Sequence, residues 1–167
     1  LDTIRTLEAM HTDIFVIRDN ASGTSHLVAE HAPSHVHIIN AGDGAHEHPT
    51  QTLVDLYTIL KEKGGIKGQV VALCGDLLHA RTIHSLAYAL GRLGAKIRTI
   101  SPPNLGFPNY VRGRLSNMKC DLQEYLSIRE VFKEDSSVLY RAETLDGDKG
   151  QLRGVQGQYK TISDLLQ

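Results

Sequence analysis

The sequence predicts an α/β fold: parallel sheets flanked by helices and divided between two lobes. Three observations point there. Short apolar runs rich in β-branched residues recur at "DIFVIR" (13–18), "HVHIIN" (35–40), "QVVALCG" (69–75) and "KIRTIS" (96–101). Between them lie stretches whose apolar residues repeat at helical spacing. A strand, a helical crossover and a further strand is the unit that builds a parallel sheet.

Each element follows from its own residues. Residues 2–10 bring Ile4, Leu7 and Met10 into helical phase, and the strand at 13–18 ends on Arg18. "SHLVAEHA" (25–32) reads as a helix leading to the strand at 35–40. Pro49 opens a long helix to about Lys61, with Leu53, Leu56, Tyr57 and Leu60 at i, i+3, i+4 and i+7. After the strand at 69–75, residues 80–94 form a helix that Gly94 stops. Beyond the strand at 96–101 come a weaker helix (108–116), a short helix (127–134) and the strand "SVLYRA", where Arg141 follows the apolar part. The charged, Gly-rich "AETLDGDKGQLRGVQGQ" (142–158) reads as a mobile loop. Leu1 stands where a Met would begin a chain, and "TISDLLQ" ends inside a helix-like run, so a longer protein is expected around these residues.

Composition excludes several classes. The 167 residues are 41% hydrophobic and carry a formal net charge of -1, so a packed core is expected without a basic face for nucleic acid. Aromatic residues are 5%, too few to suggest a base-stacking platform. No run approaches the ~18 apolar residues of a membrane span, and no basic-then-apolar leader opens the chain. The expected setting is cytoplasmic, away from membranes. Cys74, inside "VVALCG", reads as a buried strand thiol rather than a disulfide partner of the distant Cys120.

The chemistry concentrates in "GDGAHEHPTQ" (42–51). Pro49 fits the first helical position, which puts His48 at the N-cap and Gln51 at the far corner of a capping box. The unpaired N–H groups and positive dipole of such a helix mouth attract an anion. The same dipole favours a neutral imidazole, able to donate one hydrogen bond to a carbonyl whose oxygen gains charge in acyl transfer. The same residues would equally serve as a plain cap, with Gly42 and Gly44 only making the turn. His46 and His48 lack a third ligand at a convincing spacing, so no metal is expected.

A second candidate is "GDLLHARTIHS" (75–85), a strand ending in Gly75 and Asp76 with Arg81 at the next helix start. Ligands of α/β sheets bind outside such strand ends, and the planar guanidinium fork suits a carboxylate or phosphate. A surface Arg81 paired with Asp76 is the alternative. The three-glycine dinucleotide fingerprint is missing, so no cofactor is expected. Arg18, Arg81 and Arg141 together would put three cations at one sheet edge, which suits a small anionic ligand.

At these residues the chain resembles aspartate carbamoyltransferase catalytic chains. The resemblance rests on "NAGDGAHEHPTQTLVDLYTI", on "GDLLHARTIHSL", and on "DTIRTLEAMHTDIFVIR", which matches the stretch before the family's Arg-His-Pro turn. It implies carbamoyl transfer from carbamoyl phosphate to the amino group of L-aspartate, giving N-carbamoyl-L-aspartate and phosphate in pyrimidine biosynthesis. His48 and Gln51 would contact the carbamoyl group, with Arg18 joining at its carbonyl and phosphate oxygens. Arg81 and Arg141 would each take an acceptor carboxylate. His48 and Arg18 would hold the tetrahedral oxyanion, without cofactor or metal. The resemblance further implies homotrimers, with sites completed by a neighbouring subunit, and regulatory or fused pyrimidine-pathway partners. Residues 1–48 would be the C-terminal half of a carbamoyl-phosphate lobe. Residues 49–167 would be the aspartate lobe, entered through an interlobe helix.

The departures are specific. Asp19 stands where the family has His-Pro after the arginine, and Glu143 and Asp146 stand where it has Gln and Arg. Two carboxylates would repel a dicarboxylate by about 1 kcal/mol or more if partly desolvated. The family's Ser-Thr-Arg-Thr loop, lysine loop and His-Pro-Leu-Pro-Arg motif do not occur within the chain. These departures keep two other readings open: a different amine acceptor, or an inactive carbamoyltransferase-like subunit with a binding or assembly role.

Overall fold

Two sheets organise the chain in the computed structural model, which describes residues 1–134, 139–145 and 152–154. In the first sheet β1 (Ile14–Asp19) pairs in parallel with β2 (His37–Asp43), Val16 lying beside Ile39. Helix α1 (Asp2–Ala9) precedes them and α2 (Thr24–His31) makes the crossover. Strand residues alternate faces. Phe15 is accordingly buried, as are Val28 and Val36, while Ile14, Val16 and Ile39 are exposed. Helix α1 buries none of its residues.

Helix α3 (Pro49–Lys63) leads to the second sheet and stops at Gly64, whose φ of 70° is the left-handed cap that only glycine adopts cheaply. The helix is where the periodicity places it, but its buried face differs from the apolar stripe. Thr52, Asp55 and Ile59 are inside, whereas Leu53, Tyr57 and Leu60 are exposed. The His48 N–H at its mouth is tied to Ser85 of the helix at 81–92.

The second sheet has the order β5-β4-β3-β6-β7, built from β3 (Val70–Gly75), β4 (Lys96–Ile100), β5 (Leu122–Tyr125), β6 (Leu139–Leu145) and β7 (Leu152–Gly154). Its β3, β4, β5 and β6 are parallel, and β7 closes the edge antiparallel to β6. Side chains of β3 divide between two cores. Val71 and Leu73 join the larger cluster with Ile83, Leu86 and Leu90 of α4 (Arg81–Arg92) and Val111 and Leu115 of α5 (Asn109–Asn117). Val70 and Ala72 face the smaller cluster, with Val131 of α6 (Ile128–Glu134). Each fully buried branched side chain contributes about 1.5–3 kcal/mol. Among the described residues no helix is long and apolar enough to cross a membrane.

Three expectations need correction here. The strand carrying Arg141 does not end there but runs on to Leu145, held between β3 and β7. Part of the expected mobile loop is therefore paired strand at 142–145 and 152–154, and the remainder, 146–151 and 155–158, lies outside the described residues. Backbone pairing with β3 outweighs the polar composition that suggested a loop. The four-residue edge strand β5 has no counterpart among the expected elements, because "LQEY" has no apolar run to mark it.

Cys74 packs against the smaller cluster as a free thiol, and burial pushes its pKa up to about 12 from 9.0. The neutral thiol is thus favoured by folding. Stability is complete below the unfolded value near 9 and declines as pH rises towards 12, since only the unfolded chain ionises in that window. Urea unfolding should show a loss of about 1–2 kcal/mol between pH 8 and pH 10, and Cys74→Ala should flatten that slope. An unchanged slope in the variant would assign the loss to other groups.

Candidate active site

The turn between β2 and α3 is bolted at both ends. The Gly23 N–H at the mouth of α2 donates to Asp43 Oδ1 at 2.6 Å, and His46 Nδ1 lies 3.1 Å from Asp43 Oδ2. The Asp43 N–H donates to the Glu47 carbonyl (2.9 Å) and the Gly44 N–H to the Asp19 carbonyl (3.0 Å). At Gly44 a side chain has no room: φ is +52°, and a Cβ would lie 2.8 Å from the Ser22 nitrogen and 2.9 Å from the Asn20 oxygen. Gly44→Ala should cost about 2 kcal/mol or more in chemical denaturation, because backbone atoms would have to move.

Around this turn two of the three expected arginines meet. A Cβ on Gly42 would stand 3.5 Å from Arg18 Cγ and 3.6 Å from both Arg81 Cζ and Nη1, so the two side chains flank one point of backbone. Arg81 Nη1 donates to the Gly44 carbonyl at 2.6 Å. Burial and then the Arg18 charge hold the Arg81 guanidinium below its usual basicity, with Asp43 opposing both. Among the described residues neither arginine forms an ion pair. Two adjacent like charges without a carboxylate between them favour an anion there.

Arg81 does not pair with Asp76. That buried carboxylate accepts from the Leu78 and His79 N–H groups, both at 3.0 Å, and fixes the loop from which Arg81 emerges. Asp19 is likewise turned on its own backbone, accepting from the Ala21 N–H, the first of the contacts that lower its pKa. Arg141 takes a place within β6 in register with Leu73, and Glu143 stands beside Gly75 at the end of β3. Arg18 and Arg81 lie side by side at Gly42, while of Arg141 the structure gives the backbone register in β6.

His48 is the N-cap of α3, as its place before Pro49 suggests. Its Nδ1 accepts from the Gln51 N–H (3.4 Å) and lies 3.2 Å from Thr50 Oγ1. With Nδ1 turned to that amide, Nε2 is the ring nitrogen left to face away from the helix mouth's own backbone. The capping box itself does not close. The His48 N–H donates to Ser85 Oγ at 3.0 Å, and the Gln51 carboxamide donates to the buried Asp55 at 3.0 Å. Gln51 is thereby steadied by the helix rather than spent on the cap.

Helix α4 supports the turn along one face. Arg81 and Ser85 contact it directly, and His84, 1% exposed, sends Nε2 to the Leu77 carbonyl at 2.7 Å. Burial lowers the His84 pKa, against the Leu77 and His46 carbonyls that raise it. Glu47 pairs with Arg114 of α5 (3.6 Å), whose guanidinium lies 4.1 Å from the Tyr88 ring centre. Asp43, Asp55 and Ser85 escaped the sequence reading. The traceable signal was the four-residue spacing of Arg81 and Ser85, and of Gln51 and Asp55, on single helix faces. No group of three or more His, Cys, Asp or Glu among the described residues is placed to hold a metal ion.

Arg18 and Arg81 thus meet beside Gly42 near the end of β2, and His48 caps the helix that follows. Residues 1–62 match the family model for the aspartate/ornithine carbamoyltransferase, carbamoyl-P binding domain. Similarity to catalytic subunits of that family extends beyond the matched domain. The catalytic subunit of aspartate carbamoyltransferase from Methanopyrus kandleri is 42% identical over 99% of this chain and 53% of its own length. The corresponding subunit of Methanothrix thermoacetophila is 49% identical over 83% of the chain and 44% of its own length. Among solved structures, the M. jannaschii aspartate transcarbamoylase catalytic subunit superposes with a TM-score of 0.69 at 38% identity, over 84% of this chain and 45% of that one. The Trypanosoma cruzi enzyme in complex with aspartate and phosphate gives 0.71 at 32% identity, over 83% and 46%. The chain spans about half the length of the curated relatives it matches.

Proposed function

We propose that these residues form the carbamoyl-transfer part of an aspartate carbamoyltransferase. The observation that carries this reading is the meeting of Arg18 and Arg81 at Gly42, six residues before the imidazole that caps α3. Carbamoyl phosphate supplies an anion for Arg18 and a carbonyl for His48. The aspartate amine attacks the carbonyl carbon, forming a C–N bond, and the carbonyl oxygen becomes an oxyanion that His48 Nε2–H and Arg18 stabilise. The C–O bond to phosphate then breaks, phosphate leaves with the bonding pair, and the attacking nitrogen loses a proton. Positioning and electrostatics do the catalysis, with no protein nucleophile. Gln51 contacts the carbamoyl group, while Arg81 and Arg141 each bind an acceptor carboxylate.

In this reading residues 1–48 belong to the carbamoyl-phosphate lobe and 49–167 to the aspartate lobe. The active assembly is a cytoplasmic homotrimer, joined by regulatory or fused pyrimidine-pathway partners. The test is the protein as encoded, incubated with carbamoyl phosphate and L-aspartate. Carbamoyl-aspartate and phosphate should appear in equal amounts, and no product at saturating substrate would overturn the proposal. A second reading keeps the reaction and changes the acceptor, favoured by the register of Glu143 beside Gly75 at the mouth of β3. An amine screen separates the two, since a carboxylate there favours a less anionic acceptor.

A further inference from the structure

Helix α4 ties the turn before α3 at points set by its own periodicity. Arg81, Ser85 and Tyr88 stand at i, i+4 and i+7 and so share one face. Arg81 holds the Gly44 carbonyl (2.6 Å), and Ser85 accepts from the His48 N–H (3.0 Å). Tyr88, 8% exposed, reaches the same turn through a residue of α5. The Arg114 guanidinium lies 4.1 Å from the Tyr88 ring centre, and its Nη1 stands 3.6 Å from Glu47 Oε1. That carboxylate is nearer to Arg114 than to His46 Nε2, 4.0 Å away. Glu47 immediately precedes His48, and its carbonyl already accepts from the Asp43 N–H (2.9 Å). Gly44 and His48 are thus held through hydrogen bonds and Glu47 through charge, all from one side.

Resting on the proposed carbamoyl-transfer reading, we infer that Arg114 is a positioning residue for His48. Through Glu47 it sets the backbone from which His48 presents its ring to the carbamoyl group, and it touches no substrate itself. The pair matters for placement rather than for energy. Arg114 is 52% and Glu47 26% exposed, and ion pairs this open to water add little to folding. The aromatic face beneath the guanidinium gives the cation a fixed seat. Displacing a group at reacting distance by a fraction of an ångström, by contrast, weighs heavily on rate. A structural pair would therefore change stability and spare turnover. A positioning pair does the reverse.

The experiment compares the protein as encoded with Arg114→Met, Arg114→Lys, Glu47→Gln and the double variant Glu47→Gln/Arg114→Met. The readouts are kcat, KM, thermal unfolding and the imidazole signals of carbon-13-labelled histidines by NMR. The His48 signal is assigned as the one missing from His48→Asn. Methionine keeps an apolar stem against Tyr88, so Tm should stay within about 2 °C of wild type. In Arg114→Met and in Glu47→Gln kcat should fall about three- to ten-fold, with KM for carbamoyl phosphate within about three-fold. The double variant should lose no more than either single one, because both remove the same contact. Arg114→Lys keeps the charge without the fork and should recover part of the loss. The His48 signal should move in Arg114→Met while that of His26, out on α2, stays in place. An unchanged kcat and His48 signal in Arg114→Met, or single losses that multiply in the double variant, overturns the inference. A wild type that makes no carbamoyl-aspartate overturns the proposed function instead, and the His48 signal then decides by itself whether Arg114 sets the ring.

Discussion

Arg81→Ala should lower kcat/KM for the acceptor by about a thousand-fold, equivalent to about 4 kcal/mol of lost transition-state stabilisation. The size follows from two losses at one atom. In the proposed function the guanidinium is a partly buried cation for an acceptor carboxylate, and Nη1 is also the partner of the Gly44 carbonyl at 2.6 Å. Truncation removes the cation and leaves that carbonyl beside an open space. Arg81→Lys separates the contributions. It restores a positive charge but not the planar fork, so kcat/KM for the acceptor should recover only in part, with carbamoyl-phosphate affinity unchanged and the acceptor KM still raised. Initial rates with each substrate varied at fixed concentrations of the other measure both. A loss below about five-fold in Arg81→Ala would place the acceptor elsewhere. Thermal unfolding of the variant should change little, because Ile83, Leu86 and Leu90 bury α4 without help from its first residue.

Much of this was legible in the chain, for reasons that differ from element to element. The strands at β1 to β4 were marked by apolar runs that have no other use in water. His48 could be placed at a helix mouth because Pro49 leaves only one register for the cap. Proximity of Arg18 to Arg81 was not legible, since a spacing of 63 residues carries no distance until two sheets are placed against each other. The burial of α3 was misjudged for a related reason. Hydrophobic periodicity names the face that would be buried if only solvent mattered, whereas here the helix mouth is tied to α4 by the His48 N–H on Ser85 and the buried face carries Thr52 and Asp55. Polar composition likewise hid the β6–β7 pairing, because strand edges are specified by backbone groups that every residue carries.

His48 holds two jobs in one ring, and replacement by asparagine should divide them. The cap depends on Nδ1 accepting from the Gln51 amide, a task that an asparagine oxygen performs at least as well at an N-cap. The proposed catalytic task depends on the opposite nitrogen, whose hydrogen a shorter side chain cannot carry to the same place. His48→Asn should therefore keep its stability within about 0.5 kcal/mol of wild type while kcat falls about 10²–10³-fold, the usual cost of one oxyanion donor. His48→Ala should lose the same catalysis and about 1 kcal/mol of stability besides. Urea unfolding and steady-state rates on the same preparations decide between the two roles. If asparagine preserved turnover, the imidazole would be a cap alone and the oxyanion would need Arg18 unaided. If alanine kept its stability as asparagine does, Ser85 rather than Nδ1 would be holding the helix mouth, through the His48 N–H that both variants retain.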